Sequence, residues 1–489
     1  MLPGEHHHGT QTARSVDSES LPELPTSQPF SSAERSTVSI YAIPDEILLG
    51  IFDQYRGDDK YFTPKMLKPL VHVCQRWRNI IFSSPRSLHL RLVCDVGTPV
   101  KKLLDVWPAW PIIVRYLPSN KEDEGNIIAA LEHHHRISRI AFRELTSHVL
   151  GKFTPMMQEP FPELTDLCLQ SIEETRSAIP DAFLGRSAPQ LQIFFLDGIA
   201  FPALPGLLLS ATHLTKLRLE KIPDSGYISP KVMATCLSVL LKLEELSITF
   251  QSPRSSPSQI LPPQTHTVLP ALTYVTFGGD SRYLEDLISR IRAPDLDDLR
   301  IWFFMPIAVI PQLRNFINGA ESPKQLTRAY IALDPWSVRL SLGPPTCLDL
   351  ATRCDRLDQR VSWIVQLCDT LSHLLCHVRD LEICGGDDSP SEPQGGVESP
   401  KWLQLFRPFS TVQGLYVTKK LGPLVAHALQ EFTCKGETEV FPALRGLFLG
   451  GLEQDQSVIN VMEPFIAARQ LSDRPVVVEN WERDPYQEC

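Results

Sequence analysis

The sequence lacks a concentrated basic segment and a long apolar run. Its 57 acidic residues outnumber 47 scattered Lys and Arg residues, which gives a net charge of −10. General nucleic-acid binding needs a clustered basic face, so that class of protein is not expected. The longest apolar run, 301–311, is too short to cross a bilayer, so no membrane partner is expected either.

Disulfide and glycosylation patterns are also missing. The 11 cysteines are odd in number, irregularly spaced and without a C-x-x-C pair, and none of the seven asparagines stands in an N-x-[ST] sequon. The first residues do not have the basic and apolar segments of a secretory signal. These features predict a cytoplasmic or nuclear location with free, mostly buried thiols.

Common catalytic and cofactor-binding motifs are absent. The sequence has no G-x-x-x-x-G-K-[ST], no G-x-G-x-x-G after a strand, no G-x-S-x-G and no H-E-x-x-H. His373 and His377 stand one helical turn apart, but no carboxylate or cysteine pair completes a metal site, and a half-buried helix face explains them. We expect no enzyme activity, no catalytic residue, no metal ligand and no cofactor; an enzyme with an unusual site is the remaining alternative.

The most informative segment lies near the N terminus, where two helical apolar stripes follow each other. The first follows Pro44, which can start a helix, and comprises Ile47, Leu48, Ile51 and Phe52. The second comprises Leu67, Leu70, Val71, Cys74, Trp77 and Ile81. Because a domain of about 40 residues rarely buries enough apolar surface alone, the segment is expected to bind a partner.

This order of Pro, acidic residue, Ile-Phe and Cys-x-x-Trp-Arg resembles an F-box. The resemblance implies that residues 39–84 bind the Skp-type adaptor of a cullin-RING (SCF) ubiquitin ligase. By position in the motif, the adaptor-binding residues are Pro44, Ile47, Leu48, Ile51, Phe52 and Trp77. The sequence departs from the pattern by Ile43, where Leu is commonest, and by a polar insert at 56–64. A helical hairpin packed on its own domain is the alternative.

The rest of the chain carries an internal repeat, apolar-x-x-apolar-x-apolar. It begins at Ile137, Leu164, Leu191, Leu214, Leu243, Leu272, Leu296, Leu326, Val378, Val412 and Leu444. Most starts lie about 23 to 34 residues apart, near the period of leucine-rich repeats. The longer gap between Leu326 and Val378 is expected to contain a further unit. Four repeats begin with a phrase of the type Phe161-Pro162-Glu163-Leu164.

Helical patterns separate most of these repeats, for example at 229–241 and 281–291. A strand followed by a helix in each unit predicts parallel strands whose apolar side is buried by stacking on neighbouring units. The array resembles the leucine-rich-repeat class, and the whole chain resembles F-box/leucine-rich-repeat proteins, especially the divergent ones of mushroom-type fungi. The resemblance implies an α/β fold: a small helical F-box followed by an irregular leucine-rich-repeat solenoid with a parallel sheet on its concave face. An ordinary α/β domain is the alternative.

The repeats depart from the family pattern at one position. Leucine-rich repeats place Asn or Cys three residues after the third apolar residue, where the side chain satisfies backbone groups of the turn. Here that position holds unrelated residues such as Ile172, Ile222 and Asp280. The missing polar ladder predicts a solenoid of irregular geometry.

Composition divides the chain further. Residues 1–38 are rich in Ser, Pro, Thr and Glu and are predicted to form a disordered tail. The predicted domains are the F-box at 39–84, the solenoid at 85–475 and a C-terminal tail at 476–489. Low-complexity stretches at 253–264 and 385–400 are predicted to be surface loops.

Together the resemblances imply a non-catalytic substrate-recognition subunit of an SCF ligase; the alternative is a leucine-rich-repeat scaffold acting outside a ligase. Strand alternation places one set of side chains, Glu245 among them, on the exposed face of the sheet. Aromatic and Arg residues of that face are the types enriched in binding hot spots. The target-binding candidates are Phe195, Arg218, Tyr274, Arg300, Trp302, Tyr330 and Tyr416. The partners are therefore a Skp-type adaptor, a cullin and an unknown protein target.

Overall fold

The structure is a computed structural model of the chain. It describes residues 40–56, 64–85, 87–118, 124–172, 178–253, 266–306, 310–319, 326–343, 347–385, 399–434, 440–450 and 456–481. The predicted tail at 1–38 lies outside these residues, as do residues 482–489, most of the polar insert and most of both low-complexity stretches. The chain divides into two compact units, 1–55 and 56–489, which are described separately.

The first unit contains a short 3-10 helix, Ile40–Ala42, and the helix α1, Asp45–Arg56, whose last residue falls in the second unit. The carbonyl of Pro44 accepts the first helical hydrogen bond, from the Leu48 amide at 3.1 Å. Asp45 and Glu46 occupy the first turn, where negative charge is favoured by the helix dipole. The apolar stripe therefore forms a helix that begins one residue after Pro44.

The second unit alternates helices and strands. Its helices are α2 Pro64–Val71, α3 Gln75–Ser83, α4 Val100–Val106, α5 Glu124–Leu131, α6 Ser147–Phe153, α7 Leu204–Leu208, α8 Pro230–Leu237, α9 Ser281–Ile288, α10 Pro311–Asn318, α11 Leu357–Thr370, α12 Ser372–Leu375, α13 Ser399–Phe406, α14 Gly422–Cys434 and α15 Gln456–Leu471. Its strands are β1 Leu92–Cys94, β2 Ile112–Tyr116, β3 Ile137–Leu145, β4 Asp166–Ser171, β5 Ile193–Asp197, β6 Lys216–Ile222, β7 Glu245–Phe250, β8 Thr267–Val268, β9 Tyr274–Gly279, β10 Ile291–Arg292, β11 Asp298–Phe303, β12 Arg328–Leu333, β13 Ser337–Gly343, β14 Cys347–Arg353, β15 Asp380–Gly385, β16 Gly414–Val417, β17 Gly446–Leu449 and β18 Val477–Asn480.

Sixteen of these strands form one sheet, in the order β1-β2-β3-β4-β5-β6-β7-β9-β11-β14-β13-β12-β15-β16-β17-β18, while β8 and β10 pair separately. The repeats stack in register, so that equivalent apolar residues form a continuous buried row such as Ile140, Leu167, Phe194, Leu217 and Leu246. This is a mixed α/β fold with a long, mainly parallel sheet and the successive strand order of a solenoid.

The sheet departs from a simple parallel array where the repeat spacing lengthens. The expected further unit exists as β14 and α11, but it is reached through β13, which pairs antiparallel with both β12 and β14. As a result β11 pairs with β14 and not with the next repeat strand, β12. The expectation of an all-parallel sheet is therefore wrong at this point, because the longer connection accommodates a hairpin.

The sheet extends at both ends beyond the regular repeats. At the N-terminal end, β1 and β2 pair in parallel and precede the first regular repeat strand, β3. At the other end β18 pairs in parallel with β17, so residues 477–480 of the predicted C-terminal tail belong to the sheet.

Helices form a second layer against one side of the sheet. Successive helices pack on one another, including α7 on α8, α8 on α9, α9 on α10, α13 on α14 and α14 on α15. The apolar sides of helices such as α9 and α11 are buried together with the inward residues of the strands. The main core therefore lies between sheet and helices, and the opposite side of the sheet, here called the outer face, is free to carry polar and aromatic residues.

A ladder of hydrogen bonds joins successive repeats at the strand entrances. The carbonyl of Gln192 accepts two backbone amides of the next repeat, Thr215 at 2.8 Å and Lys216 at 3.0 Å, and the pattern recurs along the array. Threonine hydroxyls add to it: Thr165 donates to the Ser138 carbonyl at 2.9 Å and Thr273 to the Glu244 carbonyl at 3.3 Å. Backbone and hydroxyl groups therefore help to hold neighbouring repeats in register.

This ladder leads to a stability prediction. Replacing Thr165, Thr215 and Thr273 together by Val keeps side-chain shape but removes three hydroxyl donors, each worth about 0.5–1.5 kcal/mol. We expect the triple variant to lose about 1–3 kcal/mol in urea unfolding followed by circular dichroism. The matched control is Thr276→Val on β9, whose hydroxyl makes no hydrogen bond among the described residues. Equal stability of the triple variant and wild type would contradict the role of the ladder.

Candidate functional site

The helix α1 separates its apolar residues into a buried and an exposed stripe. Leu48 and Phe52, one turn apart, are 1% and 0% exposed. Ile47, Ile51 and Tyr55 occupy the adjacent helical positions and are 57%, 47% and 53% exposed. Contiguous exposed apolar side chains of this kind mark interaction surfaces in soluble proteins.

The six predicted adaptor-binding residues are thus placed in different environments. Pro44, Ile47 and Ile51 are exposed, while Leu48 and Phe52 are buried within the chain itself. Trp77, on α3, is half-buried. Of the six, the exposed residues are the ones that can contact a partner without refolding, and the buried pair has a structural role.

The Cys-x-x-Trp spacing has a local cause that the sequence analysis missed. Cys74 is the N-cap of α3, and its sulfur accepts a hydrogen bond from the Trp77 amide at 3.5 Å. A capping side chain satisfies an amide that has no partner inside the helix. Cys74 therefore starts the helix, in addition to lying on the predicted apolar stripe.

All seven target-binding candidates lie on the outer face of the sheet. The residues that flank them along their strands, such as Leu217 and Leu219 beside Arg218, are mostly buried. Phe195, Tyr274, Trp302, Tyr330 and Tyr416 are half-buried, and Arg218 and Arg300 are exposed. The structure therefore brings the candidates together on one surface that spans β5 to β16.

In the middle of this surface a carboxylate holds two cations. Glu245 lies between Lys216, with Nζ to Oε2 at 3.2 Å, and Arg218, whose Nε donates to Oε1. Glu245 is only 7% exposed, so its predicted exposure is wrong: the two neighbouring basic side chains cover it. Burial raises the pKa of Glu245, but the hydrogen bonds from Arg218 and Lys216 outweigh burial and hold that pKa below its ordinary value. Arg218 thus has a structural partner in its own chain.

A second cluster lies two strands further on. The Arg300 guanidinium donates to both oxygens of Asp298, at 3.1 and 3.0 Å, and lies 5.4 Å from the ring centroid of Tyr274. Trp302 is flanked in register by the small residues Gly278 and Ala351. The cluster presents a fixed guanidinium and a half-buried indole as ready-made contact groups.

Towards its C-terminal end the outer face becomes aromatic and acidic. Tyr416 and Phe448 stack at 4.5 Å between ring centroids and 8° between ring planes, and Trp481 meets Tyr416 edge-on at 5.5 Å. Glu382 and Glu479 lie next to these rings in register. The sequence analysis missed Glu479 and Trp481 because it assigned them to a tail; the run of three β-branched residues at 476–478 was the available signal of a strand.

His373 and Cys236 carry side chains of the types used in metal binding and nucleophilic catalysis. Within these residues no three His, Cys, Asp or Glu side chains are arranged to hold a metal ion. His373 Nε2 lies 2.6 Å from Asn318 Oδ1, and burial, with Arg314 nearby, lowers the pKa of His373. Burial also raises the pKa of the Cys236 thiol to about 11, so it is a poor nucleophile at neutral pH.

Comparison with known proteins shows a distant likeness to a solved structure. No protein-family model matches the sequence, and no curated protein matches it. Among solved structures, the chain is similar to the leucine-rich repeat-containing protein LegL7 from Legionella pneumophila, with 10% sequence identity over 77% of this chain and 97% of that chain and a TM-score of 0.25. In the part of the chain that the structure describes, no helix is both long and apolar enough to cross a membrane.

Proposed function

We propose that this protein is the non-catalytic substrate-recognition subunit of a cullin-RING (SCF) ubiquitin ligase. In this proposal the F-box-like segment binds a Skp-type adaptor through α1, and the leucine-rich-repeat array binds a protein target through its outer face. The observation that carries the proposal is the exposed apolar stripe of α1, which stands within the motif order described above.

The geometry of the stripe suits a helix that docks into a groove of a partner. Ile47, Ile51 and Tyr55 lie on successive turns of one face of α1. Amphipathic helices that bind in grooves use this spacing. When a partner covers these three side chains, each Å² of apolar surface removed from water stabilises the complex by about 25 cal/mol. Leu48 and Phe52 face elsewhere and keep the helix folded, so docking and folding use different residues.

The experiment is co-purification of a Skp-type adaptor with the full chain. We expect Ile47→Asp combined with Ile51→Asp to weaken adaptor binding by at least about 100-fold, because burying unpaired carboxylates in an apolar interface costs several kcal/mol. Both residues are exposed, so the variant is expected to keep its circular dichroism spectrum and thermal midpoint. Leu48→Asp is unsuitable as a test, since it would place a charge in the buried stripe.

The matched control carries the same change on exposed apolar residues of the array. Val232→Asp with Leu241→Asp adds two carboxylates at positions that are 41% and 55% exposed and is expected to leave adaptor binding unchanged. If wild type retains no adaptor or cullin, or if the α1 variant binds as wild type does, the ligase proposal fails. The alternative is then a leucine-rich-repeat scaffold, which the outer face supports without any part for α1.

A further inference from the structure

We propose that the C-terminal part of the outer face binds an arginine or lysine side chain from a basic segment of the target protein. The surface is the aromatic-acidic row, defined here as Glu382, Tyr416, Phe448, Glu479 and Trp481. This inference rests on the proposed role of the outer face in target binding, and it specifies the chemistry of the target.

The sheet register builds the row. Tyr416 is paired with Glu382 on one neighbouring strand and with Phe448 on the other, and Phe448 is paired with Glu479 on the last strand. Two stacked rings are therefore bracketed by a carboxylate on each side, with Trp481 two residues beyond Glu479 on the same face of β18. Glu479 is exposed, and the three aromatic rings are half-buried with part of their surfaces open to solvent.

Two glycines allow the rings to fold back over the sheet. Gly414 and Gly446 stand two residues before Tyr416 and Phe448 on the same face. A Cβ at Gly414 would lie 3.0 Å from Tyr416 Cε2, and one at Gly446 would lie 2.9 Å from Phe448 Cζ. A larger residue at either position would have to displace the neighbouring ring. The sequence thus reserves space for a flat aromatic surface in both strands.

The charge around the rings is predominantly negative. Asp380 lies close enough for its Oδ1 to be 2.8 Å from a Cβ placed at Gly414, which puts a third carboxylate beside Tyr416. Burial raises the pKa of Tyr416, and the nearby Asp380, Glu382 and Glu479 raise it further, whereas Arg328 lowers it. Arg328 faces Asp380 in register, but no ion pair joins them within the described residues.

The rest of the outer face shows what this row lacks. Glu245, Asp298 and Asp349 each pair with a cation of their own chain, namely Arg218, Arg300 and Arg339. The Tyr274, Asp298 and Arg300 cluster is the complete form: an aromatic ring, a carboxylate and a guanidinium between them. The aromatic-acidic row repeats the ring and the carboxylate without such a bound cation at Asp380 or Glu479 among the described residues. Charge complementarity therefore favours a partner that supplies the cation.

The expected strength follows from known cation–π energies. A guanidinium or ammonium over an aromatic face gains about 0.5–1 kcal/mol when exposed and about 2 kcal/mol or more when desolvated. Carboxylates on both sides add Coulomb attraction that weakens as salt increases. Lys419 and Lys420 follow the end of β16 in the chain.

The test uses fluorescence anisotropy with the full chain and two labelled nonapeptides of alternating Gly and Arg or alternating Gly and citrulline. Citrulline keeps the size and shape of arginine, but its urea group has no charge and carries a carbonyl acceptor in place of one nitrogen of the guanidinium. We expect the Arg peptide to bind at least about tenfold more tightly than the citrulline peptide. The double variant Tyr416→Leu, Phe448→Leu is expected to bind the Arg peptide about tenfold more weakly than wild type. Glu479→Gln, at an exposed position, should weaken binding severalfold, and Tyr416→Phe should retain it. The control Trp336→Leu changes an aromatic residue that is 71% exposed, lies outside the row and is not a target-binding candidate, and it should leave binding unchanged.

Three results would overturn the inference. They are absence of binding of the Arg peptide, equal binding of both peptides, and full binding by the Tyr416→Leu, Phe448→Leu variant with an intact circular dichroism spectrum. Adaptor binding is tested separately, by co-purification with the Ile47→Asp, Ile51→Asp variant. Loss of the ligase proposal would therefore leave the peptide result standing, and failure of peptide binding would leave adaptor docking untouched.

Discussion

Replacing Tyr283 by Ala is expected to destabilise the array by about 3–5 kcal/mol, the usual cost of deleting a fully buried aromatic ring. Tyr283 on α9 is buried and lies at the centre of an aromatic cluster. Its ring is 4.7 Å from that of Phe250, 5.8 Å from that of Phe277 and 5.9 Å from that of Tyr227, measured between centroids. The cluster joins the helix layer to β7 and β9, so its loss leaves a cavity between two repeats.

The Tyr283→Phe variant keeps the ring and removes the hydroxyl, so it distinguishes their contributions to stability. The buried Tyr283 hydroxyl has no hydrogen-bond partner among the described residues, and such a group costs about 1–3 kcal/mol. We therefore expect Tyr283→Phe to equal or exceed wild type in stability, while Tyr283→Ala loses stability. Urea unfolding followed by circular dichroism measures both variants. A large loss in Tyr283→Phe would show that the hydroxyl is satisfied.

Glu285→Ala is expected to cost about 2–4 kcal/mol, because it leaves two helix amides without acceptors. The helix α10 has no capping side chain of its own at Ile310. Instead, Glu285 of the preceding repeat accepts hydrogen bonds from the amides of Gln312 at 2.9 Å and Leu313 at 3.1 Å. One buried carboxylate thus starts the helix of the next unit and couples α9 to α10.

The pH dependence of this contact follows from the pKa of Glu285. Burial raises that pKa above its ordinary value, and the two backbone hydrogen bonds compensate only in part. The folded chain therefore holds this proton more tightly than the unfolded chain. The favourable contribution of the protonated group is complete below the unfolded pKa of 4.5 and is lost as pH rises through the higher folded pKa.

Glu285→Gln is the matched control, since it keeps one acceptor and the side-chain shape. We expect it to lie within about 1 kcal/mol of wild type at neutral pH, and its stability should lack the pH-dependent step. Similar losses for the Gln and Ala variants would instead indicate that the charge itself holds α10.

Most of the repeat array was predictable from the sequence because its signals are local. The alternation within Leu164, Leu167 and Leu169 sets the strand and its buried side. The phrase Phe161-Pro162-Glu163-Leu164 is a turn, with the Leu164 amide bonded to the Phe161 carbonyl at 3.2 Å. Each repeat therefore carries the signals for its own strand and turn, and the same conformation recurs in the repeats that stack on it.

The features that were missed depend on contacts between distant residues. Burial of Glu245 requires Lys216 and Arg218 on the neighbouring strand, and no property of the β7 sequence alone reveals them. β14 pairs with β11 and with β13. This order of strands depends on contacts across the whole sheet, which the sequence of one strand does not reveal. On α1, periodicity identified one apolar stripe but did not divide its residues into a buried pair and an exposed pair.

The reversed strand β13 has a consequence for the order of synthesis. β12 leaves the ribosome before β14, yet β14 is the strand that pairs with β11. The open edge of β11 therefore stays unpaired, and the β12–β13 hairpin has no strand that joins it to the growing sheet, until residue 353 has been made. An unpaired edge is a site for wrong pairing or aggregation. The strands up to β11 can therefore pair before β13 and β14 have been made, whereas the later strands can join the sheet only afterwards.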